Sequence, residues 1–207
     1  MNRATRSAII LAGGSSRRLG DDKGLKMFAG RPLINYAIEV LKPIVAEILV
    51  VVGSEFQRES YLKNLPSMVN ISIDKYREGS PLIGLITGLS EAKSEYAFVT
   101  ACDMPFITSE PVELLFNRAT KKNGAAFIKP DGWIEPLFAV YNVAVCLNEA
   151  TRLFRAGDFR IRMVLRNLRD VEYIPSSVVN IDPKLLFFDI DTGEKLAFAE
   201  KIVNERK

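Results

Sequence analysis

The chain has 207 residues, of which 48% are hydrophobic and 26% charged, with a formal net charge of +3 at neutral pH. This composition suits a globular chain of one-domain size, and the excess charge is too small to argue for a nucleic-acid partner. No apolar run approaches the roughly 20 residues that cross a bilayer, and the basic-then-apolar start is too short for a signal peptide, so a cytoplasmic protein with no membrane partner is expected.

In chain order, an apolar run predicts a strand over 8–12, and a one-sided apolar pattern opened by Pro32 predicts a helix over 32–42. The continuous β-branched run at 47–53 predicts a strand covered on both faces. A helix over 55–65, a strand over 69–73, a helix over 82–92 and a strand over 96–101 follow, then a helix over 110–121 and strands over 125–128 and 136–140. The remainder predicts helices over 143–156 and 162–167, strands over 171–174 and 186–190, and a last helix over 192–203. Strands alternating with helices imply βαβ units: an α/β fold with a mostly parallel central sheet and helices on both faces. No repeat or linker divides the chain, so residues 1–207 are expected to form a single domain.

In such sheets ligands bind beyond the carboxyl ends of the strands. Three candidates fall there: the loop from Gly13 to Lys23 after the first strand, Asp74 after the third, and Asp103 after the fourth. Consecutive glycines Gly13 and Gly14 let the backbone approach a ligand closely, and successive N–H groups form an anion-binding concavity. Arg17, Arg18 and Lys23 add positive charge suited to phosphates. A solvated turn with ordinary surface basics is the competing reading. The loop lacks GxxxxGK[ST], because five residues separate Gly14 from Gly20 and Asp21 follows, and it lacks GxGxxG. The chain contains no histidine, and its two cysteines, Cys102 and Cys146, have no metal-ligand spacing. Any metal must therefore sit on carboxylates, which points to Mg²⁺ or Mn²⁺.

The segment LAGGSSRRLGDDKGL resembles the signature of nucleotidyltransferases, and within them most resembles the molybdenum cofactor guanylyltransferases. DKYREGSPLIGLITGL, VTACDMPF, EPLFAVY, AGDFRIRMVLRNL and FFDIDTGEKL are similar, in order, to later segments of that family. The resemblance implies a three-layer α/β/α Rossmann-like nucleotidyltransferase, with a nucleotide half at about 7–105 and an acceptor half at about 106–207. It implies an enzyme that transfers GMP from GTP to the terminal phosphate of molybdopterin, releasing pyrophosphate, with Mg²⁺, or Mn²⁺ in its place. Leu11, Ala12 and Gly13 would line the guanine, Gly14 and its neighbours the triphosphate, and Arg18 and Lys23 would neutralise phosphate charge. Asp74 would contact the nucleoside and Asp103 would hold the metal. Delivery or molybdoenzyme proteins would be transient partners.

Several positions carry two readings. Asp103 also suits a cap for the next helix, and Asp74 the start of a turn. Arg160 and Arg162 lie where the family binds its pterin partner, or on a solvated helix face. Trp133 is expected to pack on the core rather than stack on the pterin. Gly84 and Gly88 serve close packing or direct ligand contact.

Three departures stand out. The loop GDDKGL is one residue shorter than the commoner GGxDKGL. Gly53-Ser54 stands where many relatives carry asparagine. Asp189 and Asp191 replace the asparagines of NINTPEDL, and a DIDTPEDL form is found in related cytidylyltransferases. A molybdopterin cytidylyltransferase or another small-phosphate guanylyltransferase is therefore an alternative, and a non-catalytic nucleotide-binding protein is a second, of a different class.

Overall fold

The computed structural model describes residues 2–14, 22–76, 79–129 and 131–205. In chain order the elements are β1 (Arg6–Leu11), the ribbon strands β2 (Met27–Phe28) and β3 (Arg31–Pro32), α1 (Ile34–Leu41), β4 (Glu47–Val52), α2 (Glu55–Asn64), β5 (Val69–Ile73), α3 (Pro81–Glu91), β6 (Tyr96–Ala101), α4 (Ser109–Ala119), β7 (Gly124–Ile128), β8 (Ile134–Asn142), α5 (Val143–Arg155), α6 (Arg162–Asn167), β9 (Val171–Pro175), α7 (Pro183–Leu186) and α8 (Gly193–Glu205). The central sheet has seven strands in the order β5-β4-β1-β6-β8-β7-β9. Only β8 runs against the others, pairing antiparallel with both β6 and β7.

Side chains alternate across a strand, so neighbours in β1 enter opposite cores. Ala8 and Ile10 join Val50 and Phe98 under α1 and α4. Ile9 joins Leu49 and Val99 under α3, α5 and α6. Both faces of the sheet are thus covered, giving three α/β/α layers and accounting for the unbroken apolar run of β4. A third cluster of Phe28, Leu33, Phe106, Ile190 and Ala199 fastens the ribbon and α8 to the loop after β6.

Two elements depart from the sequence reading. The strand expected over 186–190 does not form. Asp182 caps a helical turn at Pro183–Leu186, its side chain accepting the Lys184 N–H at 2.8 Å, with proline in the first turn. The apolar run is satisfied by burial instead of a ladder: Leu186 enters one core and Ile190 the third cluster, and the Ile190 N–H donates to the Asp103 carbonyl at 2.9 Å. The second departure is the β2–β3 ribbon inside the region before α1. Ala29 and Gly30 both have positive φ (45° and 89°), the geometry of a tight hairpin turn.

Candidate active site

The strand order reverses beside β1, which has β4 on one side and β6 on the other. A crevice of about 260 Å³ opens at this reversal, beyond the carboxyl ends of the strands, with Leu11, Gly13, Lys23, Asp74, Gly84 and Asp103 among its walls. Three segments that lie far apart in the sequence meet there.

The first wall is the exit of β1. The Leu11 carbonyl accepts the Cys102 N–H and the Ala12 N–H donates to Val51, so sheet bonds extend to the last residue before the glycines. Leu11 lines the crevice, whereas Ala12 is buried and does not. Gly13 and Gly14 both line it. A Cβ on Gly13 would lie 3.0 Å from an Asp74 carboxylate oxygen and 3.1 Å from the Gly53 nitrogen. Glycine here thus lets the β1 exit pack closely against the residues that follow β4 and β5. Arg17, Arg18, Gly20 and Asp21 lie outside the described residues.

The second wall carries the lysine. Asp22 caps a single 3₁₀ turn over Lys23–Leu25, accepting the Gly24 N–H at 3.2 Å. Gly24 lies over Tyr61 and Cys102, where a Cβ would come within 2.3 Å of the Tyr61 hydroxyl. The turn points Lys23 into the crevice, where its Nζ lies 3.2 Å from Asp103 Oδ2. Asp103 is 8% exposed. Burial raises its carboxyl above the ordinary carboxylate range, Lys23 opposes that rise, and Asp189 adds to it.

The third wall is Asp74 with the start of α3. The Asp74 N–H donates to the Val52 carbonyl at 2.8 Å, fixing the residue at the end of β5. Among the described residues, its Oδ1 is buried with no hydrogen-bond partner. Burial pushes its carboxyl up to about 6, with the Thr87 hydroxyl pulling the other way. Gly84 faces the crevice and also meets Leu11, 3.1 Å from where its Cβ would lie. Gly88 serves packing: a Cβ there would lie 2.5 Å from Ile9.

The remaining candidates sit further out. Asp189 and Asp191 share Lys195, at 2.7 and 2.9 Å. Arg160 pairs with Asp158 at 2.7 Å in its own loop. Trp133 does not pack in the core as expected; it is 43% exposed, and the Arg162 guanidinium lies 4.6 Å above its ring. Cys102 and Cys146 are both buried and unbridged.

Sequence reasoning missed Asp22, Gln57, Tyr61, Ser80 and Leu137. Ser80 and Leu137 line the crevice. Gln57 accepts the Gly53 N–H at 2.8 Å and donates to Asp22 at 2.6 Å, while the Tyr61 hydroxyl donates to the other Asp22 oxygen. The acid immediately before Lys23 was the available signal for Asp22.

Asp103, a buried carboxylate in the crevice wall, suits a hard cation that draws its other ligands from water or other oxygens. Among the described residues, no group of three or more Asp, Glu or Cys side chains forms a preassembled metal cage. Among the described residues, too, no helix is long and apolar enough to cross a membrane.

Residues 8–171 match the family model for the MobA-like NTP transferase domain. A protein of Methanosarcina acetivorans named probable molybdenum cofactor guanylyltransferase is 35% identical over 200 residues, covering 93% of this chain and 88% of the relative. One of the same name from Natranaerobius thermophilus is 34% identical, covering 96% and 97%. The crystal structure of molybdopterin-guanine dinucleotide biosynthesis protein A from Archaeoglobus fulgidus superposes with a TM-score of 0.81 at 26% identity, over 97% of this chain and 99% of that one. By the family model and these relatives, this chain belongs to the MobA-like NTP transferases, a family of nucleotidyltransferases.

Proposed function

We propose that the chain transfers GMP from GTP to the terminal phosphate of molybdopterin, giving molybdopterin guanine dinucleotide and pyrophosphate. The observation that carries this reading is Lys23 held 3.2 Å from Asp103 in a crevice floored by the glycines after β1. The names of the relatives support the guanine and molybdopterin parts of it.

The nucleophile in this reaction is a phosphate monoester with a second pKa of about 6, already ionised near neutral pH. No general base is required, which agrees with a chain that contains no histidine. The obstacle is the approach of one anion to another, so catalysis rests on positioning and charge neutralisation. An oxygen of the acceptor phosphate forms a bond to the α-phosphorus of GTP as the bond to the α–β bridging oxygen breaks, and pyrophosphate leaves. Lys23 would offset charge on the phosphates, with Arg18 assigned the same role by resemblance. Gly13 and Gly14 would give them close backbone approach. Asp74, whose buried Oδ1 has no partner among the described residues, would accept hydrogen bonds from the nucleoside. Leu11 would pack against the base, and Ala12 would support that wall from beneath. Asp103 would hold Mg²⁺ or Mn²⁺, which when bound supplies further charge neutralisation on the phosphates.

In this reading residues 7–105 hold the nucleotide, residues 106–207 hold the acceptor, and both act within one domain. The Trp133–Arg162 pair would meet the planar pterin. Asp189 and Asp191 favour keeping a cytidylyltransferase as the second reading.

A nucleotide panel tests both. GTP, CTP, ATP and UTP, each with Mg²⁺ and molybdopterin, are assayed for pyrophosphate release. GTP alone is expected to turn over, and Lys23→Ala is expected to reduce release at least a hundredfold while leaving the unfolding transition unchanged. Preference for CTP would transfer the reading to the alternative, and pyrophosphate-free binding would make the chain a nucleotide-binding protein.

A further inference from the structure

We infer that Gln57 is a positioning residue for Lys23, joining the exit of β1 to the turn that carries that lysine. This inference rests on the reading of Lys23 as a phosphate-binding residue.

Gln57 lies in the first turn of α2, three residues after the cap Ser54, whose hydroxyl accepts the Gln57 N–H at 3.2 Å. In that position a glutamine ordinarily returns to the cap backbone and serves its own helix. Here the carboxamide spans three segments instead. Its oxygen accepts the Gly53 N–H at 2.8 Å. Its nitrogen donates to Asp22 Oδ2 at 2.6 Å and approaches the Ala12 carbonyl at 3.5 Å. Ala12 and Asp22 lie on either side of the glycine-rich loop, so one side chain of α2 holds both of its ends.

The second Asp22 oxygen accepts from the Tyr61 hydroxyl and from the Gly24 N–H at 3.2 Å. Tyr61 is fully buried one turn further along α2. Both oxygens of the aspartate before Lys23 are therefore engaged by α2 and by the 3₁₀ turn. Hydrogen bonds to an ionised carboxylate are the strong class. Lys23 reaches Asp103 from a turn of only three residues. Such a turn has little rigidity of its own, and the frame from α2 supplies what it lacks. A misplacement of about 1 Å at a charge-neutralising group is enough to cost on the order of a hundredfold in rate.

The test separates this role from simple helix capping. Gln57→Met keeps the length of the side chain and removes every hydrogen bond. Gln57→Glu keeps an acceptor for the Gly53 N–H but cannot donate to Asp22. Both are expected to lower kcat for GTP turnover at least tenfold, and Gln57→Glu, which keeps the helix-capping contact to Gly53, isolates the loss of the bond to Asp22. In a Lys23→Ala background the same substitutions are expected to cost less than threefold more, because residues acting through one group are not additive. A loss that multiplies fully with that of Lys23→Ala, or wild-type kcat in Gln57→Met, would overturn the inference. A nucleotide-free measurement keeps the test independent of the reaction. Tryptic cleavage after Lys23 is expected to accelerate at least fivefold in Gln57→Met with cleavage elsewhere unchanged, and equal rates would overturn the inference. Absence of GTP turnover in the wild type would refute the parent reading alone, leaving cleavage to decide the fate of Gln57.

Discussion

Asp74 offers the sharpest contrast between stability and binding. Its carboxyl is held at about 6 by burial, against an ordinary value of 3.8. An acid whose folded value lies above its unfolded value binds its proton more tightly when folded. Stability from this group is therefore greatest below about pH 4 and declines as pH rises through about 6, where the penalty is complete. A shift of about two units corresponds to about 3 kcal/mol. Part of the carboxylate faces the open crevice, and solvent screening reduces the figure to about 1–2 kcal/mol. Asp74→Asn removes the charge and keeps the shape. Urea unfolding is expected to show the variant about 1–2 kcal/mol more stable than wild type at pH 8, with the two converging near pH 4. That difference amounts to a rise of roughly 2–8 °C in midpoint for a chain of this size. GTP binding is expected to weaken, because a buried acceptor awaiting donors has been replaced. Parallel stability profiles across pH 4–8, or a variant less stable at pH 8, would refute the assignment of a burial penalty to Asp74.

Asp103→Asn is expected to weaken cation-dependent GTP binding at least tenfold by calorimetry with and without Mg²⁺; an unchanged cation requirement would leave Asp103 as a turn residue. Gly88→Ala would place a Cβ 2.5 Å from the Ile9 side chain, and such overpacking is expected to cost about 1–3 kcal/mol in urea unfolding without changing GTP affinity of the folded fraction. Ala29 has φ of 45°, so Ala29→Gly is expected to stabilise by about 0.5–1 kcal/mol, and a lowered midpoint would show the turn to be unstrained.

Strands β1, β4, β5 and β6 were legible because each is a short, largely apolar run followed by a glycine or an acid, as at Leu11 with Gly13 and at Ile73 with Asp74. Covered strands carry continuous apolar sequence, so 186–190 carried the same signal without pairing. What decided against it was Pro183 behind the cap Asp182, together with two cores that the run could fill from either side. The β2–β3 ribbon was hidden because its turn is Ala29-Gly30, which lacks the usual Asn-Gly or Asp-Gly pair. That Lys23, Asp74 and Asp103 share one crevice was legible from motif and placement after strands. Gln57 was not, because its position after Ser54 has a sufficient local explanation in helix capping. Its partners lie 35 and 45 residues away, and only the fold brings them together.

The charges of the described site also account for the departure at 189–191. Asparagine in the family pattern is neutral, whereas two aspartates beside a phosphate site invite repulsion. Lys195 removes much of that difficulty: its bond to Asp191 holds the carboxyl below its ordinary range, with Lys23 adding to the effect, and it pairs with Asp189 as well. Lys23 and Lys195 stand against Asp74, Asp103, Asp189 and Asp191, two positive groups against four negative. The described residues alone thus leave a negative balance in and around the crevice. Under the proposed reaction the missing positive charge comes from Arg18 and from a divalent cation carried in with the nucleotide, for which Asp103 is the buried carboxylate. Under the proposed reaction, the pairing of Asp189 and Asp191 with Lys195 limits the repulsion felt by an incoming phosphate.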